Sequence, residues 1–455
     1  MELTNVAFKA YDVRGIYPTE VNEELAYRTG KIFATKYQAK KVVVGHDIRL
    51  SGPSLVKHLT EGLTDGGADV VCIGQCGTEM VYFATTYLNA DGGIMVTASH
   101  NPKDYNGMKL VSAGARPISA DTGLKEIGEA VIAKDFVSGL VAGKTKGQVT
   151  EQNIMDAYIE KLLSFVDVEA LKPLNLVVNP GNGGAGPIFM ELDKRLDLNW
   201  TMLHPEPDGN FPNGVPNPML MENRKETAEM VKQQKADLGI SWDGDFDRCF
   251  LFDEEADFVD AYYIVGVLAE VFLTKNPGAK IMYDPRLRWN IEEIVERLGG
   301  QPVLYKSGHA FMKECMRKEG VLYGGEASAH HYFRDFTCCD SGMLPWLLVM
   351  EWMCKTGKKL SDLVNERMEM FPVSGEINRK VADAPAILAK LEELYGDGKI
   401  DHVDGLSVAF DKWRFNVRTS NTEPVMRLNV ETRGDKKLLA EKTKELLAII
   451  GGEEA

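Results

Sequence analysis

Val42-Val43-Val44-Gly45-His46-Asp47 is a short apolar run that ends in a turn, and the pattern returns in Leu176-Val177-Val178-Asn179-Pro180 and Ile281-Met282-Tyr283-Asp284-Pro285. After each run comes a helix-like segment (52–66, 187–196 and 290–298) and then a second strand-like run (70–73, 200–203 and 302–305). Strand, helix, strand at this spacing reads as a βαβ unit, which builds a largely parallel sheet covered by helices. Three such units predict three related α/β domains with mixed, largely parallel sheets. A further strand in each unit, 94–99, 238–247 and 321–330, ends in residues of unusual chemistry. Open α/β sheets bind ligands beyond the carboxyl ends of their strands, so these three ends are expected to face one central cleft. From about residue 370 the pattern changes, and strands 407–410, 413–417 and 426–431 before a helix over 436–450 predict a smaller C-terminal α+β domain. Turn-rich stretches place the expected domains at 1–145, 146–252, 253–369 and 370–455.

A chain of 455 residues is too long for one core, which agrees with this division. Its 52 basic and 67 acidic residues leave a net charge of −15, the wrong sign for a protein that coats nucleic acid or an anionic membrane. An anionic ligand must therefore be held by local groups. The longest apolar stretch, 343–353, contains Glu351 and is too short to span a bilayer, and the start of the chain shows no signal segment. A cytoplasmic location is expected. Seven cysteines without a Cys-x-x-Cys pair suggest neither a disulfide framework nor a zinc site.

Four stretches carry chemistry. Thr97-Ala98-Ser99-His100-Asn101-Pro102 follows an apolar run and closes on a proline, so a strand should deliver a serine hydroxyl to a cleft. The stretch lacks the Gly-x-Ser-x-Gly of a hydrolase elbow. A serine that accepts and returns a phosphoryl group needs instead a cation, positioned donors and a separate proton carrier; the plainer reading is a helix cap. Asp243-Gly244-Asp245-Phe246-Asp247-Arg248 sets three carboxylates at alternating positions on a tight loop. An EF-hand would need glycine where Arg248 stands and helices where the flanks read as strands, so a magnesium site sharing a phosphate oxygen is favoured. Gly324 to His331 combines Glu326, Ser328, His330 and His331 on a turn, a mixture suited to sugar hydroxyls. Arg418 to Pro424 offers a guanidinium, short polar side chains and turn amides, which can grip a phosphate that is not reacting. A rival of another class comes from Gly181-Asn182-Gly183-Gly184-Ala185-Gly186, a complete Gly-x-Gly-x-x-Gly with Glu206 beyond it, as in nicotinamide-dependent oxidoreductases. Pro180 and Pro187 flank it, and a backbone turn that needs small residues explains it adequately.

These motifs, in this order and over essentially the whole chain, resemble the α-D-phosphohexomutase superfamily. Ala10-Tyr11-Asp12-Val13-Arg14-Gly15 matches its N-terminal motif, whose arginine lines the active site. Gly77-Thr78-Glu79, Ala329 in place of the usual glycine, and His331-Tyr332-Phe333 resemble its bacterial branch acting on mannose phosphates. The resemblance implies interconversion of mannose 6-phosphate and mannose 1-phosphate through phospho-Ser99 and a hexose 1,6-bisphosphate, which also activates; glucose phosphates, or both sugars, are the alternative, and a magnesium-dependent phosphatase is further off. It implies Mg²⁺ held by Ser99, Asp243, Asp245 and Asp247, with His100, Asn101 and Arg248 on phosphate oxygens. Lys109, its pKa lowered by neighbouring cations, is the first candidate for proton transfer and His330 the second. Substrate contacts are expected from Arg14, Arg286, His309, Glu326, Ser328, Arg418, Ser420, Asn421, Thr422 and Arg427, with Glu326 and Ser328 reading the hydroxyls at C3 and C4. The partners implied are small hexose phosphates, with the chain a monomer or homodimer.

Overall fold

The computed structural model describes residues 3–419 and 425–454. The chain forms two compact bodies, one of residues 1–258 with 332–357 and one of 259–331 with 358–455.

In the first body, strands β1 (Val13–Ile16), β2 (Lys41–His46), β3 (Asp69–Gln75), β4 (Gly92–Val96) and β5 (Tyr105–Ser112) alternate with helices α1 (Glu23–Lys36), α2 (Gly52–Asp65) and α3 (Thr78–Tyr87). Their order across the sheet is β1-β5-β4-β2-β3, with Val149–Glu151 beyond β3. β2 runs parallel to both β3 and β4, as the βαβ reading requires. Asn22 starts α1 by accepting from the amide of Leu25 at 3.0 Å, and Glu23 and Glu24 complement the helix dipole in the first turn. Leu25, Phe33, Leu55, Leu59 and Leu63 of α1 and α2 then bury against Val42, Val44, Ile94 and Val96 of the sheet. Every residue of β4 is buried, which is why it reads as an unbroken apolar run.

β5 was not visible as a strand in the sequence. It runs antiparallel to β4 on one side and β1 on the other, pairing Lys109 with Met95 and Gly107 with Arg14. The sheet is therefore mixed, and its period-2 alternation turns Lys109 away from Met108 and Leu110. The second sheet of this body has Leu238–Trp242 parallel to Asn175–Asn179, which is parallel to Asn199–Met202. Cys249–Phe252 returns antiparallel on the other side, so strands flank the three aspartates.

In the second body, Gln301–Leu304, Lys280–Tyr283 and Tyr323–Gly325 are parallel neighbours, the third copy of the repeat. A six-stranded sheet from Ile377 onward pairs Trp413–Thr419 with Met426–Thr432 antiparallel, and Leu391, Leu446 and Ile450 of its helices pack with Val408, Phe415, Leu428 and Val430. Three α/β sheets and one α+β domain are thus present. The expected strands 94–99, 238–247 and 321–330 end at Val96, Trp242 and Gly325, leaving the reactive residues on the loops that follow. Among the described residues no helix is long and apolar enough to cross a membrane.

Candidate active site

The loop after β4 and the loop after Leu238–Trp242 meet within the first body. Ser99 lies in the left-handed backbone region with φ 50°, and its hydroxyl donates to Asp243 Oδ2 at 2.8 Å. The loops approach closely, since a Cβ on Gly244 would stand 2.6 Å from the carbonyl oxygen of Ser99. His100 Nδ1 lies 3.0 Å from the Ser99 hydroxyl and receives the Arg248 guanidinium. Burial, then the charges of Arg248 and Arg14, holds the His100 pKa well below the ordinary imidazole value, so the ring is neutral. Arg248 pairs with Asp243 at 2.7 Å, and Arg14 on β1 pairs with Asp12 and donates to Asn101 Oδ1 at 2.8 Å. Ser99, His100, Asn101, Arg14, Lys109, Arg248 and the three aspartates are therefore one cluster.

Lys109 departs from expectation. Its ammonium lies 2.7 Å from Asp245 Oδ2 and 2.5 Å from Asp247 Oδ2. Burial alone would pull its pKa down, but the two carboxylates outweigh burial and raise it, the reverse of the lowering expected from nearby cations. Asp245 in turn is held well below the carboxylate range, because Lys109 overcomes the upward push of burial. Lys109 in this arrangement is a fixed positive charge.

The three aspartates fit a hard divalent cation. Each offers a carboxylate oxygen within 4.8 Å of the others, all three are buried, and Asp245 Oδ1 is buried with no hydrogen-bond partner. An all-oxygen donor set of this kind, with a serine oxygen beside it, suits Mg²⁺.

The second body carries the other expected residues. Arg286 makes two 2.8 Å bonds to Asp284 and reaches Ser328 Oγ at 3.2 Å and Glu326 Oε1 at 3.4 Å. Glu326 Oε1 also accepts the Gly308 amide at 2.8 Å, just before the helix that His309 opens. The rings of His309 and His330 stack with centroids 6.3 Å apart. Arg418 and Arg427 both turn to Glu376, at 3.4 Å and 3.2 Å, and Arg286 lies 3.6 Å from the same carboxylate. Burial pushes the Glu376 carboxyl up, but the three arginines outweigh it and lower its pKa. Arg418 and Arg427 on one shared carboxylate present guanidinium donors of the kind that bind phosphate oxygens. Ser420, Asn421 and Thr422 lie outside the described residues. Lys306 places its ammonium 3.2 Å from the ring centroid of Phe311.

Three contributors escaped the sequence reading. Thr78 donates to Asp245 Oδ2 at 2.5 Å, Asp47 accepts from Thr97, and Glu376 gathers the arginines. Each is an ordinary polar residue whose role comes from a partner far along the chain; the turn ending in Asp47 and the Gly77-Thr78-Glu79 motif were the signals available. The Gly181–Gly186 run is a packing turn. A Cβ on Gly186 would stand 2.6 Å from the carbonyl oxygen of Pro205, and the Gly184 amide donates to Gly244 in the aspartate loop at 3.2 Å.

Comparison with known proteins agrees with this geometry. The phosphoglucomutase/phosphomannomutase family models match in all four parts: α/β/α domain I at residues 5–138, domain II at 156–256, domain III at 260–371 and the C-terminal domain at 376–448. A Xanthomonas campestris protein named for phosphohexose mutases is 54% identical over 99% of this chain and 100% of its own. The phosphomannomutase of Escherichia coli K12 is 52% identical over 97% of this chain and 98% of its own. A solved structure of a phosphoglucomutase/phosphomannomutase family protein from Burkholderia thailandensis covers 99% of both chains at 30% identity with a TM-score of 0.88. With a serine set against three buried aspartates and all four family domains in order, this chain belongs to the phosphoglucomutase/phosphomannomutase family of the α-D-phosphohexomutases.

Proposed function

We infer that this chain interconverts mannose 6-phosphate and mannose 1-phosphate. The observation that carries the reading is the Ser99 hydroxyl, strained into a left-handed turn and fixed 2.8 Å from Asp243 beside a neutral imidazole. The names of relatives about half identical over nearly the full chain support the substrate. In the first step the Ser99 Oγ–P bond of the phosphoserine breaks as the free hydroxyl of the bound monophosphate forms a new O–P bond; that hydroxyl gives up its proton and the freed Ser99 Oγ takes one up. In the second step the hexose 1,6-bisphosphate presents its other phosphate. Ser99 Oγ forms the O–P bond, losing its proton, and the departing sugar oxygen takes one up.

Asp243, Asp245 and Asp247 would hold Mg²⁺ together with the serine phosphate, and the ion would supply charge neutralisation at the phosphate oxygens. Arg248, His100 and Asn101 orient those oxygens. Lys109 contributes fixed positive charge, which leaves the proton transfer to His330. Arg286, His309, Glu326 and Ser328 take the sugar, and Arg418 with Arg427 takes the phosphate that is not reacting. The bisphosphate doubles as the activator that phosphorylates Ser99. That no disulfide links the seven cysteines supports a reducing, cytoplasmic setting.

Ser99→Ala should fold yet lose at least ~10³-fold in turnover, because the oxygen that carries the phosphoryl group is gone. Intact mass should show one phosphate on the wild-type chain and none on the variant. Near-normal coupled turnover of mannose 1-phosphate by Ser99→Ala would sink the reading.

A further inference from the structure

Arg49 follows β2 and is 1% exposed. Its guanidinium donates to four main-chain carbonyls of the serine loop: Nη2 to Ser99 at 3.0 Å and Asn101 at 2.6 Å, Nη1 to Pro102 at 2.6 Å and Tyr105 at 2.8 Å. Four carbonyl oxygens converging on one point repel one another unless a cation sits among them, and the planar fork of arginine can serve all four. Asp47 anchors this residue, accepting the Arg49 amide at 2.9 Å and lying 3.4 Å from its Nε. Asp47 Oδ2, the oxygen that faces Nε, also connects to the serine through Thr97, whose Oγ1 donates to Asp47 Oδ2 at 2.6 Å and accepts the Ser99 amide at 2.9 Å.

Ser99 is thus gripped at both ends of its own residue, its N–H by Thr97 and its C=O by Arg49. Its φ of 50° lies in the left-handed region, which is disfavoured for a serine. Without the grip, the loop would relax toward negative φ and swing the hydroxyl away from Asp243.

We propose that Arg49, with Asp47 and Thr97, is a positioning device that clamps the serine loop and holds Ser99 in its strained, reactive backbone conformation. None of the three need touch the substrate. The clamp acts on the attacking and leaving oxygen, so its loss should lower the rate of both phosphoryl transfers while leaving monophosphate binding intact. The inference rests on Ser99 being the phosphoryl carrier.

Arg49→Lys keeps a charge beside Asp47 but cannot span the four carbonyls. The expected result is a folded protein whose kcat is down by at least ~10²-fold, since misplacement on the ångström scale costs that much, with KM for mannose 1-phosphate changed less than about threefold. Thr97→Val should show the same split, and Thr97→Ser should recover most of the rate. Intact-mass time courses with glucose 1,6-bisphosphate should show Ser99 phosphorylation slowed in step with kcat. Wild-type kcat in Arg49→Lys, a loss confined to KM, a failure to fold, or no recovery with Thr97→Ser would overturn the clamp. Ser99→Ala run beside them separates the two claims. If that variant stays active the carrier role fails, whereas if it is dead and Arg49→Lys is normal only the clamp fails.

Discussion

Lys109 shows how far a through-space field moves a residue from its local chemistry. Seated between Asp245 and Asp247, it offsets the repulsion of two buried carboxylates. Lys109→Met in chelator should therefore cost about 3–5 kcal/mol, the penalty for leaving buried charge uncompensated. Added MgCl₂ should recover more stability in the variant than in the wild type, measured by urea unfolding; equal recovery in both would disprove the charge role. Ala329 illustrates the opposite case, in which the backbone explains the residue. Its φ of 69° lies in the left-handed region that favours glycine. Relief of left-handed strain and the entropy of glycine nearly cancel, so Ala329→Gly should change stability by less than about 0.5 kcal/mol. Ala329→Val, β-branched at positive φ, should cost at least about 2 kcal/mol in the same assay.

At the scale of elements, the helix Met343–Thr356 begins on Glu79, a residue of α3. The Glu79 carboxyl accepts the Gly342 amide at 2.6 Å, Ser341 Oγ at 2.8 Å and Tyr158 Oη at 2.6 Å, so one side chain joins α3, the helix Met155–Leu163 and the start of the apolar helix. Burial pushes its pKa up to about 8, even though these donors favour the ionised form. A carboxyl whose folded pKa lies above its unfolded value contributes stability that is fully present below about pH 4.5 and is lost as pH rises toward 8. Within that window the loss is about 1.4 kcal/mol per pH unit. Glu79→Gln removes this titration but also mismatches the backbone donors. The variant should be the less stable form at pH 5, with the gap closing steadily toward pH 8; a gap independent of pH in urea unfolding would refute the shift.

At the scale of the whole molecule, the chemistry divides between the bodies. The first carries the serine and the acidic triad, and the second carries Glu326, Ser328 and the arginines around Glu376. Arg418→Ala should accordingly impair positioning and leave the serine intact. Losing a charge-assisted contact is worth about 2–3 kcal/mol, so kcat/KM should fall roughly 30- to 150-fold. KM should rise for both monophosphates, because each presents a phosphate to this locus in one half of the reaction. Bisphosphate should also escape more readily, visible as a stronger dependence on added primer. Wild-type kinetics without primer would show that Arg418 only packs the domain.

Fold class and family were legible in the order of the residues. Three runs ending in turns, each followed by a helix and a second strand, are local patterns of apolar periodicity, and such patterns set secondary structure and βαβ order before distant contacts form. The serine loop and the alternating aspartates were legible for the same reason: their spacing along a turn is their function. Hidden from it were β5, whose Asn106-Gly107 pair does not look like part of a buried strand, and the roles of Arg49, Thr78 and Glu376. Contacts between distant parts of the chain settled these, and they also keep Lys109 charged. Its partner Asp245 lies 136 positions away, and burial together with that partner, neither readable from neighbours in sequence, sets the energy of its proton.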